Sequence, residues 1–483
     1  MIYLILLIYL LPLLFIFSFS LMQLSLIISY LKGRKSIQTY SISHLASKKI
    51  TIQLPIYNER YVIERLLDAV ADFDYPKDKF DVQVLDDSTD ESVEIVAQKI
   101  AELKLKGVDI EHVRRENRIG FKAGALAYGL AFAKGKFIAI FDADFVPQKD
   151  FLKKTISYFE DNNVGVVQTR WTHLNENYSL LTQLQAFGLD AHFTIEQIGR
   201  NVGNHFINFN GTAGVWRKAT IEDAGGWQAD TLTEDLDLSY RAQIKGWKFV
   251  YLPNVESPAE LPMVMNAIKS QQYRWTKGAA ECSVKNLKRL FSAPKINFLT
   301  KMHGFYHLMN SSVFVAVLLL ALLSLPVMLI SRESEIYQKF FVYTSFFQIS
   351  WLILGVFYWI SFRGKHQNIF EFVKRFFLFL TFMMGLSLHN SIAVIEGWMG
   401  KKTPFVRTPK FNLEAKNTSW KSNLYLNKKI GIATYLEILL CLYLLFTITF
   451  EIYLQEYGLL PFHLMLVVGY LGVIFYTFKH SRE

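Results

Sequence analysis

Residues 1–31 contain no Asp, Glu, Lys or Arg. A charge-free run of this length can cross a bilayer core of ~30 Å as a helix. It restricts the chain to folds that place the segment in lipid or against a large apolar surface. A cleaved signal peptide would begin with basic residues, carry a shorter apolar stretch and end at a small-residue cleavage site. The run has none of these, so it reads as a retained anchor whose C-terminal end is held in the cytoplasm by Lys32, Arg34 and Lys35. Further charge-free runs occupy 302–331, 340–362, 376–395 and 457–478, and 430–450 is interrupted only by Glu437.

Five apolar runs after residue 301 raise a question of parity. If all five cross, the basic stretch 399–429 falls outside, against the positive-inside rule. One run should therefore lie on the membrane. In 367–398, Glu371, Lys374, Thr381, Gly385, His389 and Glu396 trace one helical face of polar or small residues, as an interfacial helix would. The expected order is a membrane helix at 1–31, an α/β domain at 32–260 and amphipathic interface helices at 261–301. Membrane helices at 302–331 and 338–362 follow, then the interfacial helix 367–398, a basic cytoplasmic loop at 399–429, and membrane helices at 430–453 and 457–478. The N-terminus is then outside, and both 50–301 and the C-terminus are inside. Glu437, charged within an apolar run, is a candidate for lining a path through the membrane, the alternative being a shallow position near the interface.

The net charge of +10 comes from 52 Lys and Arg against 42 Asp and Glu. It invites a nucleic-acid reading until it is mapped. Residues 50–260 carry 23 basic and 32 acidic side chains, a net of −9. The excess sits in blocks beside the apolar runs, with +7 in 261–301 and +7 in 399–429. A nucleic-acid binder concentrates basic charge on its folded domain, so no nucleic-acid partner is expected; the bilayer is. Two cysteines, Cys282 and Cys441, exclude a disulfide framework.

From residue 50 short apolar runs alternate with helix-like stretches. Strands are expected at 50–54, 82–85, 109–113 and 137–141, and helices at 59–71, 90–106 and 121–134. This alternation predicts an α/β fold with a mostly parallel sheet, whose ligands bind beyond the carboxyl ends of the strands. Two acidic clusters fall at that edge, Asp86-Asp87 after the second of these strands and Asp142-Ala143-Asp144 after the last. Asp142 and Asp144 suit Mg²⁺ or Mn²⁺, hard cations shared between carboxylates and a substrate diphosphate. The Asp86-Asp87 pair could hold a ribose or base. Lys122 opens a helix after a Gly turn, a position for a phosphate contact. Asp235 in Thr233-Glu234-Asp235 is a candidate general base. In Gln271-Gln272-Tyr273-Arg274-Trp275, Arg274 could hold phosphate and Trp275 could stack on a sugar.

In order, Asp86-Asp87-Ser88, Asp142-x-Asp144, Thr233-Glu234-Asp235 and Gln271-x-x-Arg274-Trp275 resemble the D, DxD, TED, QxxRW set of membrane-embedded family 2 glycosyltransferases. Gln53–Glu59, Gln83–Asp90, Gly120–Leu126, Phe141–Pro147, Phe209–Trp216 and Glu222–Trp227 extend the match over about 50–300. The chain resembles in particular the cellulose-synthase-like glucomannan and xyloglucan-backbone synthases (types A and C) and the bacterial cellulose synthase catalytic subunit.

The resemblance implies a GT-A fold, Rossmann-like, beside an α-helical membrane region. It also implies a processive, inverting hexosyl transfer from a nucleotide-diphosphate sugar (UDP-glucose, favoured slightly, or GDP-mannose) to a growing β-linked polysaccharide, coupled to export. Tyr57, Glu59, Asp86 and Asp87 would hold the nucleoside, and Lys122, Asp142, Gln271 and Arg274 the diphosphate side. Asp142 and Asp144 would bind the metal, and Asp235 would be the base. Asn210, Gly211, Thr212, Glu234 and Trp275 would face the acceptor, with Asn210 where cellulose synthases have Cys. Phe405, Thr408 and Lys410 resemble a gating loop, in which Arg407 replaces the family's Val. The alternatives are a non-processive hexosyl transfer to a lipid acceptor, such as a polyprenyl phosphate or sphingolipid, and a nucleotide-sensing transporter. The expected setting is a bacterial inner or plasma membrane; no protein partner is read from the sequence.

Overall fold

The computed structural model describes residues 2–33, 48–412, 423–426 and 429–482. Arg34, Lys35 and much of the basic loop, 413–422 and 427–428, lie outside the described residues.

Among the described residues seven strands form one sheet: β1 (Ile50–Ile56), β2 (Phe80–Asp86), β3 (Ile110–Val113), β4 (Phe137–Ile140), β5 (Val164–His173), β6 (Gly214–Arg217) and β7 (Lys248–Ala259), in the order β3-β2-β1-β4-β6-β5-β7. Only β6 runs against its neighbours. Alternate residues of β4 feed two cores. Phe137 and Ala139 join one side with Ile52, Val82 and Phe151. Ile138 and Ile140 join the other with Val166, Phe209 and Trp216. Trp216 is fully buried and meets Phe209, Trp227 and Phe249 edge-on. These aromatic residues of the quoted strings therefore serve packing, each buried ring stabilising the fold by about 1.5–3 kcal/mol.

The reversed strand positions part of the site. Gly214 at the start of β6 pairs with Ile140 at the end of β4. The turn before β6 thus lands at the edge where the parallel strands end, beside Asp142.

Among the described residues five helices are long and apolar enough to cross a membrane, or six if the bent pair Ile369–Gly385 and Ser387–Trp398 counts as one span: Ile2–Gly33, Ser312–Ser331, Glu335–Arg363, Ile432–Leu454 and Leu460–Arg482. Within 367–398, expected as one interfacial helix, the structure has two, Ile369–Gly385 and Ser387–Trp398, bent by 52°. Gly385 packs directly on the backbone of Gly469, where an added Cβ would lie 2.3 Å from the Gly469 carbonyl oxygen. Two residues of the polar stripe bond neighbouring segments. His389 Nε2 meets the Lys269 carbonyl at 2.9 Å, and Glu396 bonds Tyr273 and Lys401. The second half of this pair therefore packs on the helix Met265–Ser292.

Glu437 is fully buried and paired with Lys269 at 2.7 Å, so it locks a membrane helix to Met265–Ser292 rather than facing an open path. Glu437→Gln should destabilise the protein by roughly 3–5 kcal/mol, because it strands a buried ammonium. The double variant Lys269→Met/Glu437→Leu should recover most of that loss, as read by thermal melting of the solubilised chain.

Candidate active site

A cleft of about 180 Å³ opens along the carboxyl edge of the sheet. Tyr57 and Glu59 follow β1, Asp87 follows β2, and Asp142 and Asp144 follow β4. Asn210 and Gly211 precede β6, and Glu234 and Asp235 open the helix Glu234–Ile244. Gln271, Arg274 and Trp275 enter from one face of Met265–Ser292, as the i, i+3, i+4 spacing requires. Phe405, Thr408 and Lys410 close the open side. The structure thus brings together nearly all the residues singled out in the sequence.

Two of them stand back from the cleft. Asp86 is buried at the end of β2, where its carboxylate takes His112 Nε2 at 2.7 Å and the Ser88 N–H at 2.8 Å. It organises the turn, and of the pair Asp87 is the one that lines the cleft. Thr212, also fully buried, accepts the Asp142 N–H through Oγ1 at 2.8 Å and so fixes the metal-type carboxylate.

Lys122 donates to Asp142 Oδ1 at 2.6 Å and to the Gly211 carbonyl at 2.9 Å. Burial works against the lysine charge, but Asp142, Glu234 and Asp235 outweigh it and hold Lys122 above the ordinary lysine range. Burial, reinforced by Glu234 and opposed by Lys122, pushes the Asp235 carboxyl up to about 7. A carboxyl near 7 is tuned for a general base at neutral pH. Gly211 has φ +80°, and a Cβ there would lie 2.9 Å from Asp235 Oδ2, so this turn needs glycine on both counts.

Helix Met265–Ser292 is braced against the segment that carries Asp235. Asn286 Nδ2 and Lys285 Nζ bond Asp237, each at 3.0 Å, and Glu281 accepts the Leu232 N–H at 2.7 Å.

The loop is fastened across the cleft by charge. Lys410 lies 2.6 Å from Asp144, and Arg407 lies 2.7 Å from Glu59. Burial raises the Glu59 carboxyl to about 7 against the opposing charges of Arg407 and Lys410. Phe405 stacks on Phe121, with the Arg274 guanidinium 4.5 Å from its ring centre. Glu260 anchors the far end, accepting the Phe411 and Asn412 N–H groups and pairing with Arg65.

The sequence reading missed several groups here. Arg115 grips the Asp87 carboxylate with two nitrogens, and Arg118 lies 3.3 Å over the Tyr57 ring. Trp171 and His173 line the cleft from β5, a strand that was not expected. Burial lowers His173 to about 4, leaving it neutral. Trp171 left a faint signal as an aromatic at the end of an apolar strand; Arg115 and Arg118 sat unremarked in a basic turn.

Among the described residues no group of three or more His, Cys, Asp or Glu is poised as a self-sufficient metal site. Two carboxylates at a cleft edge do fit a hard cation that takes its remaining ligands from a diphosphate and water.

A parallel-rich sheet with an Asp-x-Asp turn at its edge and a helix-borne carboxylate facing it has the architecture of the GT-A class. Residues 48–278 match the family model described as glycosyltransferase like family 2, so the chain carries a family 2 glycosyltransferase domain. Among curated proteins it is similar to glucomannan 4-beta-mannosyltransferase 1 of Oryza sativa subsp. japonica, 43% identical over 263 residues, 53% of this chain and 50% of the relative. It is also similar to glucomannan 4-beta-mannosyltransferase 2 of Arabidopsis thaliana, 41% identical over 265 residues, 53% of this chain and 49% of the relative. The chain spans about half the length of the curated relatives it matches. These relatives are plant proteins and lend no support to the expected bacterial membrane. Among solved structures, the mannosyltransferase PcManGT of Pyrobaculum calidifontis shares the fold, with TM-score 0.54 and 16% identity, covering 80% of this chain and 100% of that one.

Proposed function

We propose that the chain is a membrane-embedded, inverting hexosyltransferase that extends a β-linked polysaccharide from a nucleotide-diphosphate sugar. The convergence of Asp235, the Asp142/Asp144 pair and the Gln271–Trp275 face in one cleft carries this reading. The mannosyltransferase names of the relatives favour GDP-mannose as donor over UDP-glucose. PcManGT, which shares the fold, is solved with GDP-Man and Mn²⁺.

In the proposed reaction Asp235 takes the proton of an acceptor hydroxyl. The freed oxygen bonds to the anomeric carbon as the carbon–oxygen bond to the diphosphate breaks on the opposite face, and the diphosphate leaves with the electron pair. Lys122 and Arg274 stabilise that leaving charge, and Trp275 offers a stacking face to the acceptor sugar. A divalent cation held by Asp142 and Asp144 would supply Lewis-acid neutralisation of the diphosphate. Lys410 and Arg407, from the loop, shield the cleft from water.

The five apolar helices and the basic blocks support a catalytic domain on the cytoplasmic side, with the polymer leaving through the membrane region. A panel of sugar nucleotides, with linkage and size analysis of the product, tests all of this. A long β-linked polymer from GDP-mannose is expected. A single sugar added to a lipid would replace the processive reading, and no transfer from any donor would overturn the function.

A further inference from the structure

Another cavity, of about 300 Å³, lies apart from the cleft, where the helix Leu460–Arg482 meets the sheet domain. Three parts of the chain wall it. Tyr178 comes from the turn before the helix Leu180–Ala191, and Met263 from just before Met265–Ser292. Tyr476, Lys479 and His480 come from the last turns of Leu460–Arg482. The proposed reaction gives none of these residues a role.

Its polar groups are donors with nothing to donate to. Among the described residues the Lys479 ammonium and the Tyr178 and Tyr476 hydroxyls have no hydrogen-bond or ion-pair partner, and no acidic side chain lines the cavity. Glu176, in the same turn as Tyr178, is engaged by Lys365 and Arg375 at 3.7 and 4.0 Å. His480 Nδ1 accepts the Met265 N–H at 3.0 Å, which puts the ring hydrogen on Nε2. The ring also packs on Tyr476, with centroids 5.5 Å apart.

In the topology proposed above, the cavity falls at the cytoplasmic membrane surface. Leu460–Arg482 is apolar enough to span and ends in Lys479, His480 and Arg482. Basic helix ends mark that face, and tyrosines sit at headgroup level. Helix Leu180–Ala191 lays Phe187 on Tyr358 and Phe362 of the apolar helix Glu335–Arg363. Leu180 and Phe475, each next in sequence to a residue of the cavity wall, are exposed.

We infer that this cavity binds the phosphate of an anionic phospholipid. Lys479 and the two tyrosine hydroxyls donate to the phosphate oxygens, and the acyl chains lie along the exposed Leu180 and Phe475. Basic pockets between membrane helices on the cytoplasmic side suit such headgroups. Free phosphate offers the same oxygens but leaves the apolar flanks uncovered. The lipid would also brace the catalytic helix, because His480 holds its first N–H and Asn266 Nδ2 donates to Ser481 Oγ at 3.3 Å. The inference rests on the proposed membrane setting and not on the transfer reaction, so the two fail separately.

The test uses the full chain in nanodiscs of phosphatidylcholine alone or mixed with phosphatidylglycerol. Native mass spectrometry reads the bound lipid, and thermal melting reads stability. Phosphatidylglycerol should be retained in preference to phosphatidylcholine and should raise Tm. Lys479→Gln should weaken its binding about tenfold, the scale of one hydrogen bond to a charged group, and Tyr476→Phe by a few-fold. Lys479 is exposed, so the fold should tolerate its replacement. Lys32→Gln removes the same charge from the end of the first apolar helix and should leave binding unchanged. Unchanged binding in Lys479→Gln, equal weakening by Lys32→Gln, or equal retention of phosphatidylcholine would each overturn the inference. Inorganic phosphate added to phosphatidylcholine nanodiscs should leave Tm unmoved; a rise that Lys479→Gln abolishes would make this a site for free phosphate and overturn the lipid.

Discussion

Asp235→Asn should lower glycosyl transfer by about three orders of magnitude while sugar-nucleotide binding, measured by calorimetry, stays within a few-fold of the unaltered chain. The size follows from removing a general base whose contribution is typically 10²–10⁴-fold. The substitution keeps the shape against Gly211 and the Leu236 N–H bond, so the helix start is preserved. A variant that retained transfer would remove Asp235 from the role of base.

The pH profile gives an independent check. The base works only when ionised, so the rate should fall as pH drops below about 7, where burial and Glu234 place this carboxyl. Stability runs the other way. An exposed Asp releases its proton near ~3.9, so folding favours protonated Asp235. Its contribution to stability is complete below that pH and is lost as pH rises through about 7. Activity should therefore climb across a window in which this group makes the fold slightly less stable.

The second large effect concerns Asp142 and Asp144. Chelation of divalent cations, or Asp144→Asn, should reduce transfer by roughly 10²–10³-fold, the cost of losing one preorganised element that stabilises transition-state charge. Added Mn²⁺ or Mg²⁺ should reverse the chelation and leave the variant impaired. Lys410 now lies 2.6 Å from Asp144, and Lys122 lies 2.6 Å from Asp142. Asp142 and Asp144, which would hold the cation, are each paired with a lysine in its place, so binding of the cation would compete with Lys410 for Asp144. Transfer that proceeds at full rate in excess chelator would exclude this arrangement.

Much of the fold was legible because its first four strands are short apolar runs with punctuated ends. The acidic clusters were legible for the same reason, since a strand end fixes where Asp142 and Asp235's partners can lie. The far half of the sheet was not read. β6 has only four residues, and β7 contains Pro253, which argues against a strand until β7 proves to be an edge strand, where proline is tolerated. With β5 unread, Trp171 had no address. The polar stripe over 371–396 was visible, but a stripe reveals only that a face has a partner. The stripe does not say what that partner is; the His389 and Glu396 bonds name helix Met265–Ser292 for its second half. Arg407 was seen as a departure from the family's pattern, and its pairing with Glu59 needed the folded loop.

Helix Met265–Ser292 runs about 42 Å and carries Lys269, locked to Glu437, on the same rod as Gln271, Arg274 and Trp275. Among the described residues the cleft is completed by this rod and by Phe405–Lys410, which follows three of the five apolar helices in the chain. The catalytic unit therefore has no seam along which it could be divided. A fragment ending with the sheet would keep the acidic half of the site and lose most of its cations, so a water-soluble version cannot be made by trimming.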